Sequence, residues 1–280
     1  MTRWPDTQFR VGISGWRYPP WRKTYYPDGL PQRAELEYAS ARLNSIELNG
    51  SFYALQRPES YQRWYDETPD GFVFSVKGPR FVTHLKRLAD VDAPLANFFA
   101  SGVLALGNKL GPILWQLPPN FRYDAARCAD FFAQLPRTTT AAAAVAKRHD
   151  ERMEGRALLE PRVRQTVRHA IEVRHDSFKT EGFLGLAREH DIAVVCADTA
   201  GKWPMFDDVT ADFAYVRLHG AEELYVSGYD DKSLDRWARK IRGWKCDTYV
   251  YFDNDAKVRA PYDAEGLARR LGISSAPTEA

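Results

Sequence analysis

The chain has 280 residues, a net charge of +2 at neutral pH, and a composition that is 44% hydrophobic and 27% charged. This composition is typical of a soluble globular protein with ample core-forming residues, and it argues against disorder. The small net charge excludes a strong overall field that would attract nucleic acid or an anionic membrane. Neither is therefore an expected partner.

The cysteines and the apolar stretches indicate a cellular compartment. Cys128, Cys196 and Cys246 are widely spaced and form no CxxC pair, which argues against a disulfide framework or a structural zinc site. The first residues lack the charged and apolar segments of a signal peptide, and no stretch reaches about 18 uncharged apolar residues. We therefore expect a cytoplasmic protein.

Short runs rich in Val, Ile, Tyr and Phe recur along the chain and predict β-strands. Eight such runs occur, at 9–14, 45–52, 71–78, 111–118, 168–175, 192–199, 213–220 and 248–255. Helical patterns lie between most of them, at 34–43, 59–68, 83–107, 124–135, 183–190, 233–244 and 264–272. The connection 201–212 shows no helical pattern.

This alternation predicts βαβ units and a parallel sheet, and eight repeats favour closure into a TIM-type (β/α)₈ barrel. The alternative is an open doubly wound sheet, but no run opens with the GxGxxG fingerprint of such folds. The sequence thus predicts an α/β fold with a single barrel domain over 1–280. Segment 137–165 is Ala-rich and charged, and we expect it to be an exposed insertion between strands four and five, with a lid as the alternative.

Polar side chains follow the apolar part of most predicted strands, where barrel enzymes place their catalytic groups. They are Glu47, Asn49, Lys77, Gln116, Glu172, Arg174, Asp198, Arg217, His219 and, depending on register, Asn254 or Asp253. Strand alternation puts Tyr215, Arg217 and His219 on one face. We expect these groups to share one polar cavity. The alternative is a structural network, because the acids and bases nearly balance and can pair with one another.

Roles follow from the chemistry of each group. Glu47 and Glu172 are predicted to act as acid and base, with His219 assisting proton transfer. Cationic Lys77, Arg174 and Arg217 are predicted to bind an anion such as a phosphate or carboxylate. The amides of Asn49, Gln116 and Asn254 are predicted to contact polar substrate groups.

The first loop is rich in aromatic residues. Trp16 and Tyr18 are predicted to cover a planar or sugar-like ligand at the barrel mouth. The alternative is that this proline-stiffened loop simply closes over its own barrel.

A metal site is a further alternative. Glu47, Glu172, Asp198 and His219 are ligand types that bind Mn²⁺, Mg²⁺ or Zn²⁺ when they converge. No HxH or HExxH spacing supports such a site, and the neighbouring arginines would repel a cation. We therefore predict no cofactor, with a divalent metal as the alternative.

A series of motifs resembles the YecE-like family, a domain family of unknown function. They occur in family order from Val11 to Leu267 and include GISGWRYPPW, SIELNGSFY, FSVKGPRFVTHLKRL, HAIEVRH, VTADFAYVRLHG and YVYFDNDA. The resemblance implies a TIM-type barrel and no established reaction. Gly50 and Asp253 depart from the family pattern, and Asp253 leaves the polar residue of the last strand open.

These observations predict a barrel enzyme with acid–base chemistry of the hydrolase, lyase or isomerase type. Its substrate would be a small anionic molecule, phosphorylated or sugar-like. The alternatives are a metal-dependent phosphoester hydrolase, with nucleic acid among its substrates, and a noncatalytic ligand-binding or partner module. The sequence identifies no protein partner.

Overall fold

The computed structural model describes residues 8–274 in full and the backbone of 2–3 and 276–277. The strands are β1 (Thr2–Arg3), β2 (Phe9–Ser14), β3 (Ser45–Leu48), β4 (Val73–Lys77), β5 (Leu110–Gln116), β6 (His169–Glu172), β7 (Ile192–Val194), β8 (Cys196–Asp198), β9 (Phe213–Leu218), β10 (Asp247–Phe252) and β11 (Ala276–Pro277). The α-helices are α1 (Glu35–Ser40), α2 (Gly50–Tyr53), α3 (Pro58–Asp66), α4 (Asp92–Ala100), α5 (Ala125–Gln134), α6 (Thr139–Ala146), α7 (Glu181–Glu189), α8 (Asp231–Trp244) and α9 (Ala260–Leu271).

The larger sheet has nine strands in the order β7-β6-β5-β4-β3-β2-β10-β9-β8, and the described registers are parallel. The first and last strands of this order, β7 and β8, are separated along the chain by Val195 alone. Together they correspond to the sixth predicted run. The nine strands are therefore the eight of a TIM-type barrel with one strand interrupted, and the predicted fold class is confirmed.

The chain packs as two compact units. The first unit contains 1–47, 67–73 and 195–280, and the second contains 48–66 and 74–194. Within the part of the chain that is described, no helix combines the length and the apolar character needed to cross a membrane.

Strands β2 and β3 of the first unit approach each other closely at Gly12. Their register pairs Gly12 with Ser45 and Ser14 with Glu47. A Cβ atom at position 12 would lie 1.9 Å from the Ser45 carbonyl oxygen, so only glycine fits there. This contact aligns the polar ends of the two strands.

Helices α8 and α9 pack against each other in the first unit, and α9 also packs on β2 and β10. Helix α8 begins after Asp230, whose carboxylate accepts the Ser233 N–H at 2.8 Å. The buried side chains of α8, which include Leu234, Trp237 and Ile241, recur at three- and four-residue spacing and form one apolar face.

In the second unit, the continuous helix predicted over 83–107 is wrong. A π-helical turn covers Phe81–Leu85, α4 follows, and a 3₁₀ segment covers Val103–Lys109. Gly102, with φ at +109°, ends α4, and a Cβ there would lie 2.4 Å from the Pro58 Cα. The left-handed conformation and the close approach of α3 stop the helix.

Segment 137–165 contains α6 and a 3₁₀ turn, and α6 packs against α4 within the second unit. Ala142 and Ala146 are fully buried, whereas 147–148 and 154–156 are exposed. The alanine run thus supplies a small-residue face for helix packing.

Candidate functional site

Four neighbouring strands of the first unit end in one buried polar group, the Arg217 cluster. Its members are Ser14 at the end of β2, Glu47 on β3, Tyr215 and Arg217 on β9, His219 just after β9, and Asp253 just after β10. Parallel strands bring their C-terminal ends to one edge of a sheet, which explains why residues so distant in sequence meet here.

Glu47 is the most enclosed member of the Arg217 cluster, with no exposed surface. Oε1 accepts hydrogen bonds from Ser14 Oγ and Arg217 Nη2, both at 2.9 Å. Oε2 accepts from the Tyr215 hydroxyl at 2.6 Å and from Arg217 Nε at 3.1 Å. This carboxylate is saturated with donors, so its geometry suits the holding of Arg217 better than proton exchange with a substrate.

Arg217, which Glu47 holds in position, in turn hydrogen-bonds to Asp253. Its Nη2 donates to Asp253 Oδ2 at 2.9 Å, and His219 Nδ1 lies 3.1 Å from the same oxygen. Arg217 and His219 are completely buried, whereas 17% of the Asp253 side chain is exposed. Asp253 is therefore a partly open carboxylate backed by two buried nitrogen groups.

A second carboxyl accompanies Asp253. Burial, reinforced by the negative charge of Asp253, raises the pKa of Asp255 to about 6. Burial also raises the pKa of Tyr18 well above its usual value, and the charges of Asp253 and Asp255 add to this effect. The Tyr18 hydroxyl donates to the Ser14 carbonyl oxygen, which fixes its ring beside the end of β2.

The side chains of two other predicted residues of the first unit have hydrogen-bond partners outside the Arg217 cluster. Asn254 Nδ2 donates to the Ser227 carbonyl at 3.0 Å and to Asp263 Oδ2 at 2.8 Å, so it joins a loop to α9. Asp198 Oδ2 accepts from the Tyr229 hydroxyl at 3.2 Å, and burial raises the pKa of Asp198. The structure thus brings Glu47, Arg217 and His219 together with Asp253 rather than with Asn254.

Trp16 of the aromatic loop is buried, and its carbonyl accepts from the Tyr26 hydroxyl at 2.6 Å. Tyr18 and Trp21 are in ring contact at 4.6 Å between centroids. The loop is therefore packed on itself through its rings, with Tyr18 half-buried.

The second unit contains a polar group of its own. Arg174 Nε donates to Glu172 Oε1 at 2.6 Å, and Arg174 Nη2 donates to Gln116 Oε1 at 3.0 Å. Glu172 is fully buried. Gln116 of β5, Glu172 of β6 and Arg174, two residues beyond β6, are thus joined by hydrogen bonds to one another.

Lys77 is also in the second unit, at the end of β4, with Nζ 4.3 Å from the centre of the Phe52 ring. Asn49 precedes α2, and its Oδ1 is buried without a hydrogen-bond partner among the described residues. Burial lowers the pKa of the nearby His84 to about 4, and Lys77 and Arg174 contribute to the decrease through their charges.

The alternative metal site does not form. In residues 8–274, no group of three or more His, Cys, Asp or Glu side chains is arranged to hold a metal ion. Within the first unit, the carboxylates of Glu47 and Asp198 have different hydrogen-bond partners. Moreover, the Arg217 guanidinium occupies the position beside Glu47 that a cation would need.

Sequence reasoning missed two residues around this site, Ser14 and Asp255. It placed Tyr215 on the same face as Arg217 without giving it a role, and it left the choice between Asp253 and Asn254 open. Strand alternation would have found Ser14, because it ends β2 at the register of Glu47. No periodicity could identify Asp255, because it lies in a turn beyond β10.

Fold and site together define a TIM-type α/β barrel with a buried polar group at its strand ends. A DUF72 family protein from Thermotoga maritima has a similar structure, with a TM-score of 0.75 and 24% identity over 94% of this chain and 99% of that one. A DUF72 family protein from Enterococcus faecalis gives a TM-score of 0.73 with 15% identity, over 97% and 99% of the two chains.

The sequence comparisons name the family. The model of "Protein of unknown function DUF72" matches residues 10–280, and the chain belongs to this family. The UPF0759 protein YecE of Escherichia coli K12 is 24% identical over 90% of this chain and 88% of its own. The UPF0759 protein YunF of Bacillus subtilis is 31% identical over 40% of each chain. The predicted YecE-like resemblance is confirmed.

Proposed function

We propose that this protein is an enzyme that performs acid–base chemistry on a small, hydroxyl-rich, sugar-like substrate, with Asp253 as the base. The observation that carries the proposal is the partly exposed Asp253 carboxylate, contacted by the buried Arg217 at 2.9 Å and by His219 at 3.1 Å. An adjacent guanidinium stabilises the ionised form that a base requires.

Asp255 is the proposed acid. Its pKa of about 6 leaves roughly half of the carboxyl protonated at pH 6 and about a tenth at pH 7, because burial and the charge of Asp253 oppose its ionisation. Two carboxyls whose environments differ in this way can divide the roles of proton acceptor and proton donor. Both follow β10, the position where barrel enzymes carry catalytic groups.

Glu47 then has a different role from the one predicted. It is a positioning residue, because its four donors leave it no free lone pair directed at a substrate. Arg217 likewise supports Asp253 instead of binding an anion, since its Nε and Nη2 groups are used by Glu47 and Asp253.

The substrate class follows from the surroundings of Asp253. Carboxylates accept hydrogen bonds from hydroxyl groups, and the half-buried ring of Tyr18 offers an aromatic face for the C–H groups of a sugar. Lys77 and Arg174 lie in the second unit, and the proposed proton transfers do not require them.

The test is to incubate the protein in D₂O with neutral aldoses, ketoses and aryl glycosides, following each by ¹H NMR between pH 5 and 8. We expect deuterium incorporation or product formation with at least one compound. In Asp253→Asn the rate should fall by about 100-fold or more, the usual contribution of a positioned acid or base. Asp28→Asn is the matched control, because Asp28 and its ion-pair partner Lys23, 3.6 Å away, are both exposed. The same change of Asp to Asn there should leave the rate unchanged.

Circular dichroism and thermal unfolding establish that Asp253→Asn is folded. A folded variant with unchanged turnover would overturn the role of Asp253. If the wild type binds a sugar by NMR and neither exchanges nor converts any compound, the noncatalytic alternative replaces the enzyme proposal.

A further inference from the structure

The second unit has an open cleft of about 440 Å³. Its walls include Phe52, Tyr53, Phe81 and Leu85, of which Tyr53 is 71% and Leu85 57% exposed. Large apolar side chains exposed around a concavity of this size are typical of a ligand site, because packing in a core would cover them.

Two consecutive residues of α2 form an aromatic edge to the cleft. The Phe52 ring contacts Tyr53 at 5.1 Å and His84 at 5.2 Å, each nearly perpendicular. Phe52 is buried, whereas the Tyr53 ring that packs against it faces largely into solvent. An exposed ring beside a concavity suits stacking of a planar ligand.

The charged residues among the described lining of the cleft are arginines. Arg80 and Arg152 line it, and no acidic side chain occurs among its described lining residues. The low pKa of His84, about 4, reports burial first and then the positive charges of its surroundings, which come from Lys77, Arg174, Arg80 and Arg87. His84 is therefore neutral at pH 7 and adds no charge to the cleft.

The backbone around Arg152 is anchored to α4. Asn97, which also lines the cleft, accepts the Asp150 N–H at 3.0 Å, and Asp150 Oδ1 accepts the Arg152 N–H at 3.0 Å. These bonds hold part of segment 137–165 at the cleft, where Arg152 is one of the lining residues.

We infer that this cleft binds a phosphorylated planar heterocycle of the nucleoside monophosphate class, with the base stacked on Tyr53 and the phosphate bound by Arg80 and Arg152. Guanidinium groups match phosphate oxygens in geometry as well as charge. The cleft volume lies in the range of small-molecule sites. The inference is independent of the acid–base chemistry proposed for Asp253.

The test is calorimetric titration of the full chain with adenosine 5′-monophosphate, adenosine and ribose 5-phosphate. The monophosphate should bind at least about tenfold more tightly than either of the others, because only it engages both the ring and the arginines. Equal binding of the monophosphate and ribose 5-phosphate would remove the base from the inference, and no binding of the monophosphate would overturn it.

Variants separate the two contacts. Arg80→Gln should weaken binding of the monophosphate about tenfold, whereas Arg148→Gln, another exposed arginine of the second unit outside the described lining, should leave it unchanged. Tyr53→Ala should weaken it about tenfold and Tyr53→Phe should preserve it, because the ring and not the hydroxyl makes the contact. Equal losses in Arg80→Gln and Arg148→Gln would indicate attraction by overall charge and contradict a built site.

Discussion

Glu47 and Arg217 form a fully buried ion pair, joined by bonds of 2.9 and 3.1 Å. Such a pair contributes little over an apolar pair of equal volume, but removal of one partner leaves a buried charge without compensation. Each residue therefore constrains the other.

Arg217→Gln should lower the free energy of unfolding by about 3–5 kcal/mol, because Glu47 is left charged in the interior. The double variant Glu47→Gln/Arg217→Gln should lose less. Urea denaturation measures both, and Lys23→Gln, which breaks an exposed pair, should change stability by no more than about 1 kcal/mol. A double variant less stable than Arg217→Gln would contradict this coupling.

The Asp255 carboxyl gives a second test at the residue scale. Asp253→Asn should lower the pKa of Asp255 from about 6, because it removes the negative charge that opposes ionisation. The pKa should stay above the ordinary value, since burial is the larger cause. Carboxyl ¹³C NMR titration measures the shift, and an unchanged pKa would show that the two carboxyls do not interact.

Sequence alternation identified Glu47, Arg217 and His219, because strand geometry fixes which side chains share a face. It could not choose between Asp253 and Asn254, because β10 ends at Phe252 and alternation stops there. Tertiary contacts decide: Asn254 turns toward α9, and Asp253 turns toward Arg217.

At the scale of elements, the interruption between α4 and the following 3₁₀ segment depends on Gly102. Hydrophobic spacing alone predicted one helix over 83–107, because periodicity does not report a left-handed residue. Arg87, Leu88 and Asp90 also have positive φ angles, which break the first part of this pattern.

Gly102→Ala should destabilise the protein by roughly 1–3 kcal/mol from the backbone conformation alone, with the contact to Pro58 adding to the loss. Gly185→Ala is the matched comparison, because Gly185 lies within α7 and nothing surrounds its added Cβ within 4 Å. That variant should gain about 0.5–1 kcal/mol. Thermal unfolding compares them, and equal effects would refute the explanation.

At the scale of the whole molecule, the response to acid depends on the buried His169. Trp115 Nε1 donates to its Nδ1 at 3.2 Å, and its Nε2 donates to the Pro136 carbonyl at 2.9 Å. Burial lowers the pKa of His169 to about 3. The unfolded chain takes up this proton near pH 6.5, whereas the folded chain does not.

Stability from His169 is therefore present above pH 6.5 and is lost as the pH falls toward 3. The loss should be about 1.6 kcal/mol between pH 6.5 and 5. Asp255 has the opposite sign, because its raised pKa makes the folded state gain stability as pH falls through 6. Urea denaturation at pH 7, 6 and 5 measures the free energy of unfolding, which should fall less with decreasing pH in His169→Gln than in the wild type. An equal fall in the two proteins would contradict the contribution of His169.

The architecture as a whole was predictable, because eight apolar runs alternating with helical patterns leave few topologies. The interruption of the sixth run at Val195 was not, since Val195 is as apolar as its neighbours. Mutual pairing of acids and bases, as between Glu172 and Arg174, was only the alternative prediction. Residue types alone cannot distinguish a substrate-binding site from a structural network of ion pairs.

Gly12 limits how this protein can vary. Any side chain at that position would collide with the Ser45 carbonyl oxygen, 1.9 Å from the first added carbon. If position 12 is varied to all amino acids and folded clones are selected, we expect only glycine codons to be recovered. The same selection at the exposed Arg33 should recover many different residues. Sequence changes, in the laboratory or in nature, must therefore leave this strand contact untouched and are better accommodated in the loops.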